Sequence, residues 1–281
     1  MKILAISDFH GKFPSKLLRK IKKEKPDLIL SGGDYANADK IRKIIFKNWT
    51  NKKWYEAVGL TKAKKIEKES FESGLKILKK LNSLGKKVYI TWGNTDFYKS
   101  PMFKVEKKIN PGFYENKIKN LKNITLTDNK KRKVMGIRVV GHGGYLDVTE
   151  FIKNSIDKDK EEQQERLGRY KKSEGRLKKL FLREKPSKNF IFLTHYTPYG
   201  IFDKVKLKSS PMYDKHVGFE PYSNIIKHYQ PMLVICGHMH EYQGKQRLGK
   251  SLVINPGAAQ NGKAAIIEIE KERIKSVRFL K

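Results

Sequence analysis

Short apolar runs rich in Ile, Val and Leu recur along the chain at residues 2–7, 27–31, 87–92, 137–141, 189–194, 232–236 and 251–255. Runs this brief and this uniformly apolar predict strands buried on both faces, as in a sheet lying between two layers. Helical spacing fills several of the intervals. Residues 14–25 carry Leu17, Leu18 and Ile21, while Phe71, Leu75, Leu78 and Leu81 keep a helical period up to the run that begins near Val88. This alternation predicts an α/β architecture. The end of the chain differs, since residues 264–270 and 273–280 are extended runs joined by a short polar turn. They predict a terminal hairpin, and with it a mixed sheet system.

No internal repeat and no Pro- or Gly-rich linker divides the sequence, so residues 1–281 read as a single domain with insertions near 38–70 and 153–185. The first insertion carries Trp49, Trp54 and Tyr55 among many lysines, and these aromatics are expected to pack an inserted helix onto the core. The second is almost wholly polar and is expected to be a solvated helix pair near a site entrance. No catalytic residue is placed in either.

Composition narrows the class. The chain of 281 residues has 62 Lys+Arg against 29 Asp+Glu, a formal charge of +33, yet 38% of it is hydrophobic. That is enough to bury a core, which excludes a disordered polyelectrolyte. The basic residues are spread from end to end rather than gathered in a stripe. Nucleic acid therefore stays only a possible partner, while any anionic substrate would be attracted. The single Cys236 cannot form an internal disulfide, and no run approaches the roughly 20 apolar residues that span a bilayer. The expected location is the cytoplasm, with no membrane partner.

Potential metal ligands stand where the apolar runs end. The first delivers Asp8-Phe9-His10, whose two outer residues would face the same side of an extended backbone. The second leads through Gly32-Gly33 to Asp34, the third to Gly93-Asn94-Thr95-Asp96, a fourth to His195, and a fifth to Gly237-His238-Met239-His240. A lone histidine or asparagine after a strand is commonly a turn or packing residue. Burying all of these polar groups together without an ion would leave them poorly satisfied.

As an ordered set, Asp8-x-His10, Gly33-Asp34, Gly93-Asn94-x-Asp96, Thr194-His195 and Gly237-His238-Met239-His240, followed by Asn255-Pro256-Gly257, resembles the calcineurin-like metallophosphoesterase superfamily. The resemblance implies a four-layer α/β/β/α sandwich with two facing mixed β-sheets. It also implies two divalent metal ions, drawn from Mn, Fe, Zn or Ni. Asp8, His10 and His240 would hold the first, Asn94, His195 and His238 the second, and Asp34 would bridge them. The implied activity is hydrolysis of a small phosphoester by a hydroxide held between the ions, with Asp34 and Asn94 counted in the catalytic set.

One position departs from the family pattern. Many members place a histidine, the presumed general acid, where this chain has Thr95. A threonine hydroxyl cannot replace imidazole as an acid near neutral pH. The departure resembles phosphodiesterase-like branches and favours leaving groups that need little protonation, unless His10 or His142, in Gly141-His142-Gly143-Gly144, serves instead. His216 and His228 are expected to be surface or packing residues. A nuclease and a non-catalytic scaffold on the same fold are the competing functions; retention of the whole ligand set argues against the scaffold.

Overall fold

The apolar runs form the strands of two six-stranded sheets. A computed structural model describes residues 1–48, 53–99, 107–154, 159–182 and 189–281. In the first sheet, β1 (Lys2–Ile6), β2 (Leu28–Ser31), β3 (Lys87–Ile90) and β4 (Ile124–Leu126) run parallel. In the second, β5 (Lys130–Val134) pairs antiparallel with β6 (Ile137–His142), which continues in parallel through β7 (Phe190–Thr194) and β8 (Leu233–Ile235). Antiparallel β9 (Gly244–Leu248) closes this sheet beside β10 (Ser251–Asn255), itself parallel to β8. The hairpin of β11 (Ala264–Glu270) and β12 (Arg273–Leu280) completes the first sheet, in the order β12-β11-β1-β2-β3-β4.

Side-chain alternation sets the layers. In β1, Ile3 and Ala5 join Ile191, Leu193, Leu233 and Ile235 of the second sheet in a core between the sheets. Leu4 and Ile6 face the other way, onto α1 (Ser15–Glu24), α4 (Leu60–Asn82) and α5 (Tyr114–Ile118), through Leu17, Phe71, Leu78 and Tyr114. On the outer face of the second sheet, Phe190, Phe192 and Val234 pack against α7 (Lys160–Phe181) and α8 (Glu220–Tyr229). The result is helix, sheet, sheet, helix, and the parallel strands inside the sheets are largely apolar because both their faces are covered.

Three strands escape the hydrophobic pattern: β4, β5 and β9. All are sheet edges, and in β5 and β9 the exposed positions are Lys, Arg and Gln. Charge on an edge strand guards against unwanted pairing and erases the apolar signature. The segment 153–185 also differs from expectation. After the short α6 (Thr149–Lys153), most of it is the single helix α7, whose Leu177 and Phe181 are fully buried. Its fully buried apolar residues stand in the last turns, with Tyr170 packing onto Phe219 from the middle of the helix, which makes the whole segment read as solvated. In the other inserted stretch, α2 (Asp39–Lys47) and α3 (Trp54–Val58) precede α4, and Trp54 and Tyr55 pack with Ala63 and Ile109 in a small satellite core. Trp49 lies outside the described residues. Among the described residues no helix is long and apolar enough to cross a membrane.

Candidate metal centre

Beyond the ends of β1 and β2 the chain stops being extended. Asp8, His10 and Asp34 take left-handed conformations at φ 59°, 42° and 57°, as does His238 at 67°. The two-residue spacing of Asp8 and His10 therefore does not work as it would in a strand; a turn brings them together. Main-chain bonds fasten that turn to the next one, with Asp8 N–H donating to Gly33 O at 3.0 Å and Phe9 N–H to Asp34 O at 2.8 Å. Non-glycine residues in this region carry strain of about 1 kcal/mol or more each, and such strain gathers at functional sites.

Two glycines let the turns touch. A Cβ on Gly33, at φ 96°, would lie 2.2 Å from Gly93 N, and one on Gly93 would lie 2.1 Å from Asp34 Oδ1. Asp96 knits the same region by accepting N–H bonds from Asp34, Gly93, Tyr35 and Ala36 at 2.8–3.2 Å.

The turns gather ligand atoms into two adjoining groups. In the first, one atom from each of Asp8, His10, Asp34 and His240 lies within 4.8 Å of all the others. His10 Nε2 is 2.9 Å from His240 Nε2 and 3.5 Å from Asp34 Oδ2, and His240 Nε2 is 3.3 Å from Asp8 Oδ1. In the second, Asn94 Oδ1 lies 2.8 Å from His195 Nε2 and 2.9 Å from His238 Nδ1. Asp34 Oδ1 is 3.5 Å from His195 Nε2. Thus the two oxygens of Asp34 face different imidazoles.

The donor set fits a cation. His195 Nδ1 is 2.8 Å from the carbonyl oxygen of Gly32, an acceptor, so Nδ1 carries the proton and Nε2 presents a lone pair. In the neutral ring that lone pair faces Asn94 Oδ1, another acceptor, 2.8 Å away, and a cation bound by both atoms satisfies them. Carboxylate, amide oxygen and imidazole together suit first-row divalent metals.

Protonation follows the same logic. Burial raises the Asp8 carboxyl, but the hydrogen bond and charge of His240 outweigh it and hold Asp8 below its ordinary value. Asp34 is likewise lowered, His195 and His10 overcoming the cost of burial. Burial pushes His10 down, and takes His238 down to about 3, with His195 adding to it. These groups are already in the state that ligation requires. His240 is the exception: burial lowers it, but the bond and charge of Asp8 raise it on balance.

Thr95 has a defined task. Its N–H and its hydroxyl both donate to Asp34 Oδ1, at 3.0 and 2.9 Å. His142 does not join the cluster through any hydrogen bond among the described residues. It shares the outer face of β6 with Val140, and its Nδ1 lies 2.7 Å from the Tyr222 hydroxyl of α8. Burial lowers its pKa to about 3, which favours the neutral ring. His216 is half exposed, with Nδ1 2.8 Å from the buried Asp203. Two neighbours were not read from the sequence. Ser7 donates its hydroxyl to Asp8 Oδ2 at 2.5 Å, and the Tyr196 ring stacks on His238 at 4.2 Å. Each adjoins a ligand in sequence, which is the signal that could have found it.

Comparison with known proteins agrees with this geometry. A family model described as metallophosphoesterase, calcineurin superfamily, matches residues 1–279. The crystal structure of TT1561 of Thermus thermophilus is 16% identical with a TM-score of 0.54, covering 99% of this chain and 97% of that one. A dimetal phosphatase from Danio rerio is 10% identical with a TM-score of 0.54, covering 100% and 96%. Another crystal structure is 22% identical with a TM-score of 0.66, covering 100% and 99%. No curated protein gives a significant match. The structural likenesses show the fold, two facing mixed sheets between helical layers, and the family model spans nearly the whole sequence: the chain belongs to the calcineurin superfamily of metallophosphoesterases.

Proposed function

We propose that the protein is a two-metal phosphoesterase that hydrolyses a small phosphodiester. The observation carrying this reading is the placement of Asp34, whose Oδ2 faces His10 and whose Oδ1 faces His195, each at 3.5 Å. Asp8, His10 and His240 would hold one ion, Asn94, His195 and His238 the other, with Asp34 between them. Bound divalent cations would supply neutralisation of charge on the phosphoryl oxygens and an activated water.

The protein's own groups prepare that chemistry. Gly32 O fixes the tautomer of His195, and Ser7 and the His238 N–H hold the two oxygens of Asp8. Thr95 N–H and hydroxyl hold one oxygen of Asp34, in the position where an imidazole acid would otherwise stand. With Thr95 so engaged, the substrate's leaving oxygen meets no acid from this motif, which favours leaving groups of low pKa. Purified protein loaded with Mn²⁺ is expected to cleave activated aryl phosphodiesters and to slow steeply as the leaving group becomes more basic. Intact aryl diesters after long incubation would refute the proposal.

Metal affinity carries a sign that follows from His240. Its raised pKa means that the ring is protonated at and somewhat above the ordinary value of 6.5, and an incoming cation must displace that proton. His10 and His238, both lowered, release none near neutrality. Affinity for Mn²⁺ is therefore expected to fall by about tenfold per pH unit below the raised pKa of His240. Titration calorimetry across weakly acidic to weakly alkaline pH reads this directly, and pH-independent affinity would contradict it.

A further inference from the structure

The sandwich is open along one side. There β9 is the last strand of one sheet and β12 the last of the other, and between them lies a cavity of about 630 Å³. Its floor is Met232, Leu252, Ile274 and Val277, which fringe the core between the sheets. Its rim carries Lys245, Arg247, Lys250 and Arg273.

Cross-strand register shows which way two of these cations point. Lys245 stands opposite Ile254 and Arg247 opposite Leu252, and both apolar partners belong to the core between the sheets. Residues directly opposite share a face, so both cations stand on the inner face of the sheet, where β7 and β8 place Ile191, Leu193, Leu233 and Ile235. Among the described residues none of the four rim cations forms an ion pair. One acid, Glu272, also lines the cavity and accepts from Asn189 at 2.7 Å, and Glu270 pairs with the lining Lys275 at 3.1 Å, so the four cations outnumber the negative charge on the rim. Inward charge on an edge strand also discourages sheet-to-sheet association. That protection, however, needs neither an apolar floor nor a cavity of this size.

We propose that this cavity binds a nucleotide bearing two or more phosphates, the phosphates on the cationic rim and the base on the apolar floor. The volume lies within the range of about 300–1,000 Å³ typical of small-molecule sites. Arg273 offers a planar fork for phosphate oxygens and Arg247, whose Nη1 donates to Lys250 O at 3.2 Å, its remaining N–H groups, with Lys245 and Lys250 as point charges beside them. Among the described residues no aromatic ring lines the cavity, so it lacks the stacking platform that tracks a nucleic-acid strand, and a mononucleotide fits better. The site is separate from the metal centre. Met232 and Lys250 precede β8 and β10, and His238 and Asn255 stand at or beyond the far ends of those strands.

The test is calorimetric titration of ATP and of inorganic tripolyphosphate into the full chain, with a chelator present so that no ion at the metal centre can hold phosphate. ATP is expected to bind saturably and at least tenfold more tightly than tripolyphosphate. The double variant Lys245→Glu, Arg247→Glu is expected to weaken ATP at least tenfold; both residues are exposed on an edge strand, and circular dichroism would verify the fold. Asp34→Ala is expected to leave ATP affinity within twofold. No saturable binding up to about 1 mM, equal affinity for tripolyphosphate, indifference to the double variant, or loss of binding in Asp34→Ala would each overturn the proposal.

Discussion

Asp34→Ala is expected to abolish turnover of aryl phosphodiesters, by more than roughly a thousandfold, and to lower the metal content of the protein. Asp34 is the residue common to both ligand groups, so its removal takes a carboxylate oxygen from each. It also takes the acceptor from the N–H of Thr95, which donates at 3.0 Å, while the Thr95 hydroxyl keeps the Ala36 carbonyl at 3.4 Å. Thr95 is only partly buried, so the freed N–H costs less than the about 1–3 kcal/mol of a fully buried unpaired donor. Metal analysis, turnover and circular dichroism on one preparation separate the effects. A folded Asp34→Ala protein that keeps its metals and its rate would remove the foundation of the proposed function.

Asp147→Ala is expected to produce the largest loss of stability away from the centre. Asp147 is fully buried and pairs with two arginines of α7, with Arg166 Nη1 at 2.8 Å and Arg169 Nε at 2.7 Å. Deleting one member of a buried ion network costs about 3–5 kcal/mol where the others are left uncompensated, but here Arg166 keeps Glu162 at 2.9 Å and Arg169 keeps Glu165 at 2.7 Å, which reduces the loss. Arg166 and Arg169 are 16% and 23% exposed, so solvent recovers part of that cost. About 2 kcal/mol remains, which corresponds to a fall in melting temperature of roughly 4–8 °C for a domain of moderate size. Activity at low temperature should survive, because no metal-cluster residue touches Asp147 through a hydrogen bond or ion pair among the described residues. A melting temperature within a degree or two of the parent would show that α7 is held by its apolar turns alone.

How far the sequence reveals this molecule depends on where a residue sits. Strands covered on both faces, such as Ile3 to Ile6 and Phe190 to Leu193, announce themselves because every position must be apolar. The edge strand Lys130–Val134 does not, since its exposed lysines and arginine are shared with any solvated loop. The ligands were legible as polar residues that end apolar runs. How they meet was not, because left-handed turns at Asp8, His10, Asp34 and His238 leave no mark in residue spacing. His142 shows the limit most clearly. It ends β6 as His195 follows β7, yet its position beside Val140 turns it to the helix layer and Tyr222.

Asp96 gathers four main-chain amides from two separate loops, and the Asp8 and Asp34 turns are stitched to each other by their own backbones. None of those contacts involves an ion. The cradle is shaped by the polypeptide itself, so a chelator would empty it without unravelling the walls. The walls that would receive a cation are therefore expected to stand before one arrives, whichever metal it is.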